Sequence, residues 1–327
     1  MLDIFTISLR HAQHYLEVLR TAHQLYIRGG ASITQGLALF DLERTNIERG
    51  QAWASKNSKK HAAAQVCNDY PAGIYVIALR LHSREQIHWT EDALNAARQL
   101  MNRQDEGAHL GNLGNAYADL GETRKAIEFY EQALIVDRAI GDRHGEGITV
   151  GNLGNAFAEL GETRKAIEFY EQALIIDRAI GDRHGEGITV GNLGITHKNL
   201  GEMRKAIECY EQGLKIQREI GDKHAEGTIL GNLGNAFAKL GETRKAIEFY
   251  EQYSTIAREI GDRRGEGNAL GNLGADYFTL GETRKAIEFY VQHATIAHEI
   301  GDRRGEGTAL WNVSLALNEL GERTKAI

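Results

Sequence analysis

The sequence predicts an all-α protein built as an α-solenoid, a row of stacked helix pairs. A segment of 40 residues recurs almost without gaps in copies that begin at Gly111, Gly151, Gly191, Gly231 and Gly271, and a sixth copy begins at Trp311 and stops at Ile327. A fixed period of about 20 to 50 residues is typical of solenoids, because one repeat cannot bury its own apolar face. The chain contains a single proline, Pro71, so long helices can run uninterrupted.

Each repeat is predicted to form two antiparallel helices. In the copy 151–190, apolar residues recur at helical spacing in two blocks, separated by Leu-Gly-Glu-Thr. Gly161 follows the first block, where glycine can take the left-handed conformation that ends a helix, and Thr163 is expected to cap the next helix. Gly181 and Asp182 repeat this pattern of a stop followed by a cap. Helices of roughly 17 residues would be about 25 Å long.

A family resemblance rests on six residues of each repeat, which in the second copy are Leu153, Gly154, Phe157, Ala166, Tyr170 and Ala173. They resemble the L-G-x-x-Y…A-x-x-x-F-x-x-A signature of the tetratricopeptide repeat, in register in five copies. The repeats depart from the common form of about 34 residues, since no proline stands near Arg178 and about six residues are added. With A-I-G-D-R-x-x-E-G between repeats, they are similar to those of the Pins/LGN adaptor family and, more loosely, of kinesin light chain. The resemblance implies a right-handed superhelix whose concave groove holds an extended peptide.

Three segments are predicted: an N-terminal helical segment (1–70), a degenerate capping repeat (71–110), and the array (111–327) of five full repeats and a truncated sixth. Placing Pro71 on Gly111 aligns Ile87 with Ile127. Terminal repeats are expected to diverge, because one of their faces lacks a neighbour. The truncated repeat predicts that the chain is a fragment of a longer protein. Residues 1–70 and the following repeats loosely resemble the C-terminal sensor arm of bacterial signalling ATPases of the STAND (NB-ARC) type.

Composition and motifs argue against several classes of protein. The net charge of -7 argues against nucleic-acid binding, which needs a basic stripe. Apolar runs are short and no basic leader is present, so we expect a cytoplasmic protein without a membrane segment. The P-loop, H-E-x-x-H, C-x-x-C and G-x-S-x-G motifs are missing, which predicts no catalytic residues and no cofactor. The histidine pairs lack a third ligand nearby, so no metal site is expected.

The candidate peptide-binding groove is a second column on the first helix of each repeat, beside the core column. The candidate residues in it are Asn115, Asn155, Ile195, Lys198, Asn235, Phe278 and Trp311. A side-chain amide both donates and accepts hydrogen bonds, so the asparagines can bind the backbone of an extended peptide. The alternative is that they were copied with the repeat and face water. The glycines of the same column, such as Gly151, either clear space for a ligand or allow close helix packing, and packing is the favoured interpretation.

One rim of the groove is predicted to carry a row that becomes more basic toward the C-terminus. Its members are His144, His184, His224, Arg264 and Arg304. Charges at a rim act mainly on association rate and salt dependence. We therefore expect the partner to carry acidic residues, unless the arginines pair with Glu266 or Glu306 of their own repeats.

Three functions remain open from the sequence. The first is a protein-interaction scaffold that binds an extended peptide or partner segment in the concave groove. The second is a ligand-sensing arm of a STAND-type ATPase, which a P-loop in the full-length protein would distinguish. The third is a self-assembling superhelical scaffold that associates through its apolar C-terminal repeat.

Overall fold

The computed structural model describes residues 3–322, without the side chains of residues 72–75. This part of the chain contains helices and turns but no strand, which confirms the predicted all-α class. The helices are α1 (Ile4–Ile27), α2 (Ala31–Lys56), α3 (His61–Asp69), α4 (Ile74–Arg80), α5 (Ser83–Gln99), α6 (Arg103–Asp119), α7 (Thr123–Ile140), α8 (Arg143–Glu159), α9 (Thr163–Ile180), α10 (Arg183–Asn199), α11 (Met203–Ile220), α12 (Lys223–Lys239), α13 (Thr243–Glu259), α14 (Arg263–Thr279), α15 (Thr283–Glu299) and α16 (Arg303–Glu319). They form two compact parts, Met1–Ile176 and Asp177–Ile327, which are described separately below.

The helices of the array end and begin largely where the sequence predicts. Gly141 ends α7 with a φ of 74°. The Asp142 side chain then accepts a hydrogen bond of 2.9 Å from the Gly145 backbone N–H and caps α8. The predicted cap at Thr163 is wrong, because this threonine is already the first residue of α9 and its hydroxyl donates back to the Gly161 carbonyl oxygen at 3.3 Å.

The signature glycine of the five full repeats lets the second helix approach the first. In the first part, a Cβ at Gly114 would lie 2.3 Å from Cε1 of Tyr130. In the second part, a Cβ at Gly234 would lie 2.4 Å from the same atom of Tyr250. Since both tyrosines are buried, glycine at these positions is required by packing.

From α5 to α14, a buried glutamate joins each second helix to the first helix that follows it. Glu146 accepts a hydrogen bond from Arg138 Nε at 2.8 Å and another from Arg143, and only 5% of its surface is exposed. Glu106, Glu186, Glu226 and Glu266 are buried in the same way. Burial raises the pKa of Glu186, but the hydrogen bonds from Arg178 and Arg183 bring it below its usual value. The ion pairs satisfy carboxylates that would otherwise be costly to bury.

The first part begins with a hairpin of α1 and α2, and a further helix pair follows it where the sequence predicts a capping repeat. The position of a first helix is taken by α3, a 3₁₀ turn over Tyr70–Gly73, and α4, while α5 stands as the second helix. Pro71 explains the interruption, because proline lacks the backbone N–H that a continuous helix needs. Ile87 in α5 is buried. The segment boundaries and the right-handed superhelix stay predictions.

Candidate functional site

The second part carries an open groove of about 570 Å³ along three consecutive first helices, α12, α14 and α16. Five side-chain amides line it: Asn232, Asn235, Asn268, Asn272 and Asn312. Thr228, Thr308, Tyr253 and His293 complete the polar lining, with Gly231, Gly271 and Ala275 between them. This surface, called the amide groove below, contains no carboxylate, lysine or arginine.

Asn232, Asn272 and Asn312 form a column that sequence reasoning missed. Each is the asparagine of the Gly-Asn-Leu-Gly motif or its equivalent, and the same position is asparagine in all six copies. In the described part of the chain, these three side chains make no hydrogen bond to another protein group, although Asn152 in the first part donates to Asn115 Oδ1 at 3.2 Å. Their invariance among the copies was the available signal, but it could equally mark a residue needed for packing.

The predicted asparagines Asn115, Asn155 and Asn235 have a structural partner. In each case the side-chain oxygen accepts a hydrogen bond of 2.7 Å from a tyrosine hydroxyl of the second helix, as in the pair of Tyr250 and Asn235. Burial raises the pKa of the corresponding Tyr130 to about 12, so the hydroxyl stays a donor. The sequence left open whether these asparagines bind a peptide or face water, and neither interpretation is complete. The side-chain oxygen bonds the two helices of the repeat to each other, and Asn235 also lines the amide groove.

The other predicted groove residues do not line the amide groove. Ile195 and Lys198 lie on α10, and Ile195 is 40% exposed. Phe278 packs against the hydrophobic core of the second part. Trp311 stands on α16 where earlier repeats have glycine, and 64% of its surface is exposed.

The glycine column has two different environments. A Cβ at Gly111, Gly151 or Gly191 would meet no atom within 4 Å, so close helix packing is the wrong interpretation for these three. At Gly231 the Cβ would lie 3.1 Å from Cε1 of Tyr253, and at Gly271 it would lie 2.8 Å from Nδ1 of His293.

Tyr253 and His293 were not predicted as site residues. They belong to second helices, at the position of Ala133 and Ala173 in earlier repeats, and reach over the glycines into the amide groove. Burial lowers the pKa of His293, although the nearby Asp302 opposes this, so its imidazole is neutral at pH 7. The change from alanine among otherwise similar helices was the signal that could have found them.

The first part has a smaller pocket of about 270 Å³ between α6 and α8, with Asp137 of α7 in its lining. Only 5% of Asp137 is exposed, and its Oδ2 accepts a hydrogen bond of 3.0 Å from Thr149 Oγ1. Burial raises the pKa of Asp137, the Thr149 hydrogen bond opposes this, and the charges of Asp142 and Glu146 raise it further. Asn115, Asn152 and the predicted rim residue His144 also line the pocket.

All five residues of the predicted rim row, His144, His184, His224, Arg264 and Arg304, are exposed. The alternative in which the arginines pair with their own repeats is not observed. Glu266 binds Arg258 and Arg263, and Glu306 binds His298 and Arg303. Arg264 and Arg304 therefore remain available at the surface, and their role in binding stays a prediction.

Among residues 3–322, no group of three or more histidine, cysteine, aspartate or glutamate side chains is placed to hold a metal ion. No helix in this range is both long and apolar enough to span a bilayer. Cys67 is a buried free thiol, and burial raises its pKa to about 12, which leaves it protonated and unreactive.

Stacked helix pairs with an inner polar groove define a class of protein, the helical repeat scaffolds. Residues 105–179 and 186–259 match the family model described as "Tetratricopeptide repeat". These two segments are thus tetratricopeptide repeats, a fold that generally serves protein interaction. No curated protein sequence matches it.

Several solved structures share the fold. A STAND protein with a tetratricopeptide repeat sensor from Pyrococcus horikoshii aligns with a TM-score of 0.69 and 18% identity, over 96% of this chain and 49% of that one. The chain thus spans about half the length of that protein. BtubC (BKLC) from P. vanneervenii aligns with a TM-score of 0.61 and 22% identity, over 67% of this chain and 92% of that one. The nearly identical TPR-like repeats assigned to a kinesin light chain of Podospora anserina align with a TM-score of 0.51 and 19% identity, over 58% of this chain and 94% of that one. Likeness at these identities concerns the fold alone.

Proposed function

We propose that this protein is a non-catalytic interaction scaffold that binds an extended segment of a partner protein along the amide groove. The observation that carries the proposal is the column of Asn232, Asn272 and Asn312, three unpaired amides on three consecutive first helices. An extended polypeptide presents backbone N–H and C=O groups along its length, and each amide can satisfy one of either kind. The groove is uncharged, so it suits the backbone of a partner.

Side-chain selectivity would then come from the residues that differ between repeats. Tyr253 and His293 offer a hydroxyl and a neutral imidazole beside the amides. Outside the groove, Arg264 and Arg304 favour a partner with acidic residues, although the chain itself carries a net charge of -7. We place the protein in the cytoplasm, where the free thiols of Cys67 and Cys209 would persist.

A second candidate is the ligand-sensing arm of a STAND-type ATPase. The fold similarity to the Pyrococcus horikoshii protein extends over 96% of this chain and includes the helices before the array. A nucleotide-binding P-loop domain encoded in the same gene would favour this function, whereas a gene without one would contradict it.

A third candidate is self-association through the sixth repeat. On α16, Leu310, Trp311 and Leu315 are 53%, 64% and 45% exposed, respectively. Light scattering that rises with concentration in the wild type, but not in Trp311→Ser, would favour assembly. A concentration-independent monomer would contradict it.

Photo-crosslinking in the native host tests the main proposal directly. A benzophenone amino acid replaces Asn268 in the amide groove, and in a matched control it replaces Glu288 on the exposed side of α15. We expect one partner segment to crosslink from position 268 and not from 288. Equal crosslinking from both positions, or none from 268, would contradict binding in the groove.

A further inference from the structure

We infer that the pocket at Asp137 in the first part binds a basic side chain, lysine or arginine, of the partner polypeptide. This inference rests on the proposed function in one respect, since the basic group is taken to belong to an extended segment. The amide groove is uncharged, whereas this pocket would bind the partner through a charged group.

Asp137 is a buried carboxylate without a cation. Its Oδ2 is bonded to Thr149, while its Oδ1 makes no hydrogen bond among the described residues and lies against Gly107, where a Cβ would come within 2.6 Å of it. The charged groups that act on it, Asp142 and Glu146, are both acidic. A buried charge is normally paired, so this arrangement favours a cation that arrives with the ligand.

Small residues line the pocket beside Asp137. Gly107, Ala108 and Gly111 line the pocket, and a Cβ at Gly111 would meet no atom within 4 Å. The volume of about 270 Å³ is below the range of about 300–1,000 Å³ that small-molecule sites occupy, and suits a single inserted side chain.

The carboxylate is not needed for the fold of a repeat. The equivalent positions in the fourth and fifth repeats are Ala257 and Ala297, which are buried in the second part without loss of the helix pair. The hydrogen-bond partner Thr149 is replaced in the same repeats, where Ala269 and Ala309 stand at the equivalent positions. The polar pair is therefore a local feature of the earlier repeats, consistent with a ligand that only they bind.

Nuclear magnetic resonance titration tests this site with defined probes. The probe is the blocked pentapeptide Gly-Gly-Lys-Gly-Gly, the reporters are the Gly145 and Thr149 amides, and the controls are the same peptide with norleucine for lysine and n-butylammonium alone. We expect saturable shifts with the lysine peptide and at least about tenfold weaker binding of the norleucine peptide, since charge-assisted hydrogen bonds are strong. Equal binding of both peptides would overturn the inference. If n-butylammonium binds as tightly as the lysine peptide, the assignment to a polypeptide is wrong.

Two variants separate the site from general damage to the fold. Asp137→Asn keeps the shape and an acceptor for Thr149, and should weaken the lysine peptide by about tenfold or more. Gly111→Leu fills open space on the same helix face and should abolish binding. Unchanged binding in either variant would contradict the inference. The crosslinking test at position 268 reports on the other part of the chain, so failure of one result does not imply failure of the other.

Discussion

The hydroxyl of Tyr250 donates a hydrogen bond of 2.7 Å to the side-chain oxygen of Asn235, across the two helices of one repeat. In the third repeat Ile195 replaces the asparagine, and the equivalent hydroxyl, on Tyr210, is buried without a partner. The asparagines that bind these tyrosines thus stabilise the helix pair as well as line the groove. In the third repeat, the chain itself lacks this hydrogen bond.

The first prediction concerns this unsatisfied hydroxyl. Ile195→Asn should supply an acceptor to Tyr210 and raise the free energy of unfolding by about 1 kcal/mol, the usual net value of one hydrogen bond. Urea denaturation measures the change. In a Tyr210→Phe background the same substitution should give no gain, and an equal gain in both backgrounds would show that the hydrogen bond is not the cause.

The second prediction compares two glycines on one helix. Gly151→Ala enters open space and should stabilise by about 0.5–1 kcal/mol through helix propensity. Gly154→Ala would place its Cβ 2.6 Å from Cε1 of Tyr170 and should destabilise by about 1–3 kcal/mol. Thermal denaturation distinguishes them, and equal effects of the two substitutions would refute this account of the glycines.

The third prediction concerns Asp276, whose Oδ2 is buried without a partner where Ala236 and Ala316 stand in other repeats. Burial raises its pKa to about 6, and Tyr250 and Tyr290 lie near it. Because the folded pKa exceeds the unfolded value of about 3.9, the carboxyl favours folding when protonated, and this advantage is lost as pH rises through about 6.

Replacing this carboxyl should therefore matter most at neutral pH. Relative to wild type, Asp276→Ala should gain about 1–3 kcal/mol more stability at pH 7.5 than at pH 4. Urea denaturation at the two values measures the difference. Gains of the same size at both pH values would mean that helix propensity alone explains the effect.

The fourth prediction concerns the rim. Exchanging Arg264 and Arg304 for glutamate should slow association with an acidic partner segment and reverse its dependence on salt, since rim charges steer encounter. Stopped-flow kinetics at two ionic strengths tests this. Exchange of the exposed Arg284 on a second helix serves as the control, and an association rate unaffected by the rim exchange would remove the row from the interface.

The sequence predicts the fold well because the repeat period and local signals are both strong. Gly141 and Asp142 mark helix ends by conformational preference and capping chemistry, which neighbouring repeats do not alter. The cap predicted at Thr163 is wrong by one residue, because the sequence Glu162-Thr163 does not decide where the helix begins.

The site was harder to predict because its residues are defined by packing between elements. Asn232 and Asn235 lie on one helix, yet only the second helix, through Tyr250, distinguishes the paired amide from the unpaired one. Tyr253 enters the groove from a different helix, across Gly231. The residue pattern on one helix face does not indicate a side chain that another helix contributes.

The most direct test of peptide binding in the amide groove is calorimetry with the crosslinked partner segment. Asn232→Ala with Asn272→Ala removes two amides that make no hydrogen bond within the described part of the chain, unlike Asn155→Ala or Asn235→Ala, which would also break a tyrosine hydrogen bond. We expect the double variant to bind the segment more weakly by about 1–3 kcal/mol, with unchanged stability, because backbone groups of the ligand lose their partners. An affinity equal to that of the wild type would contradict the proposed function.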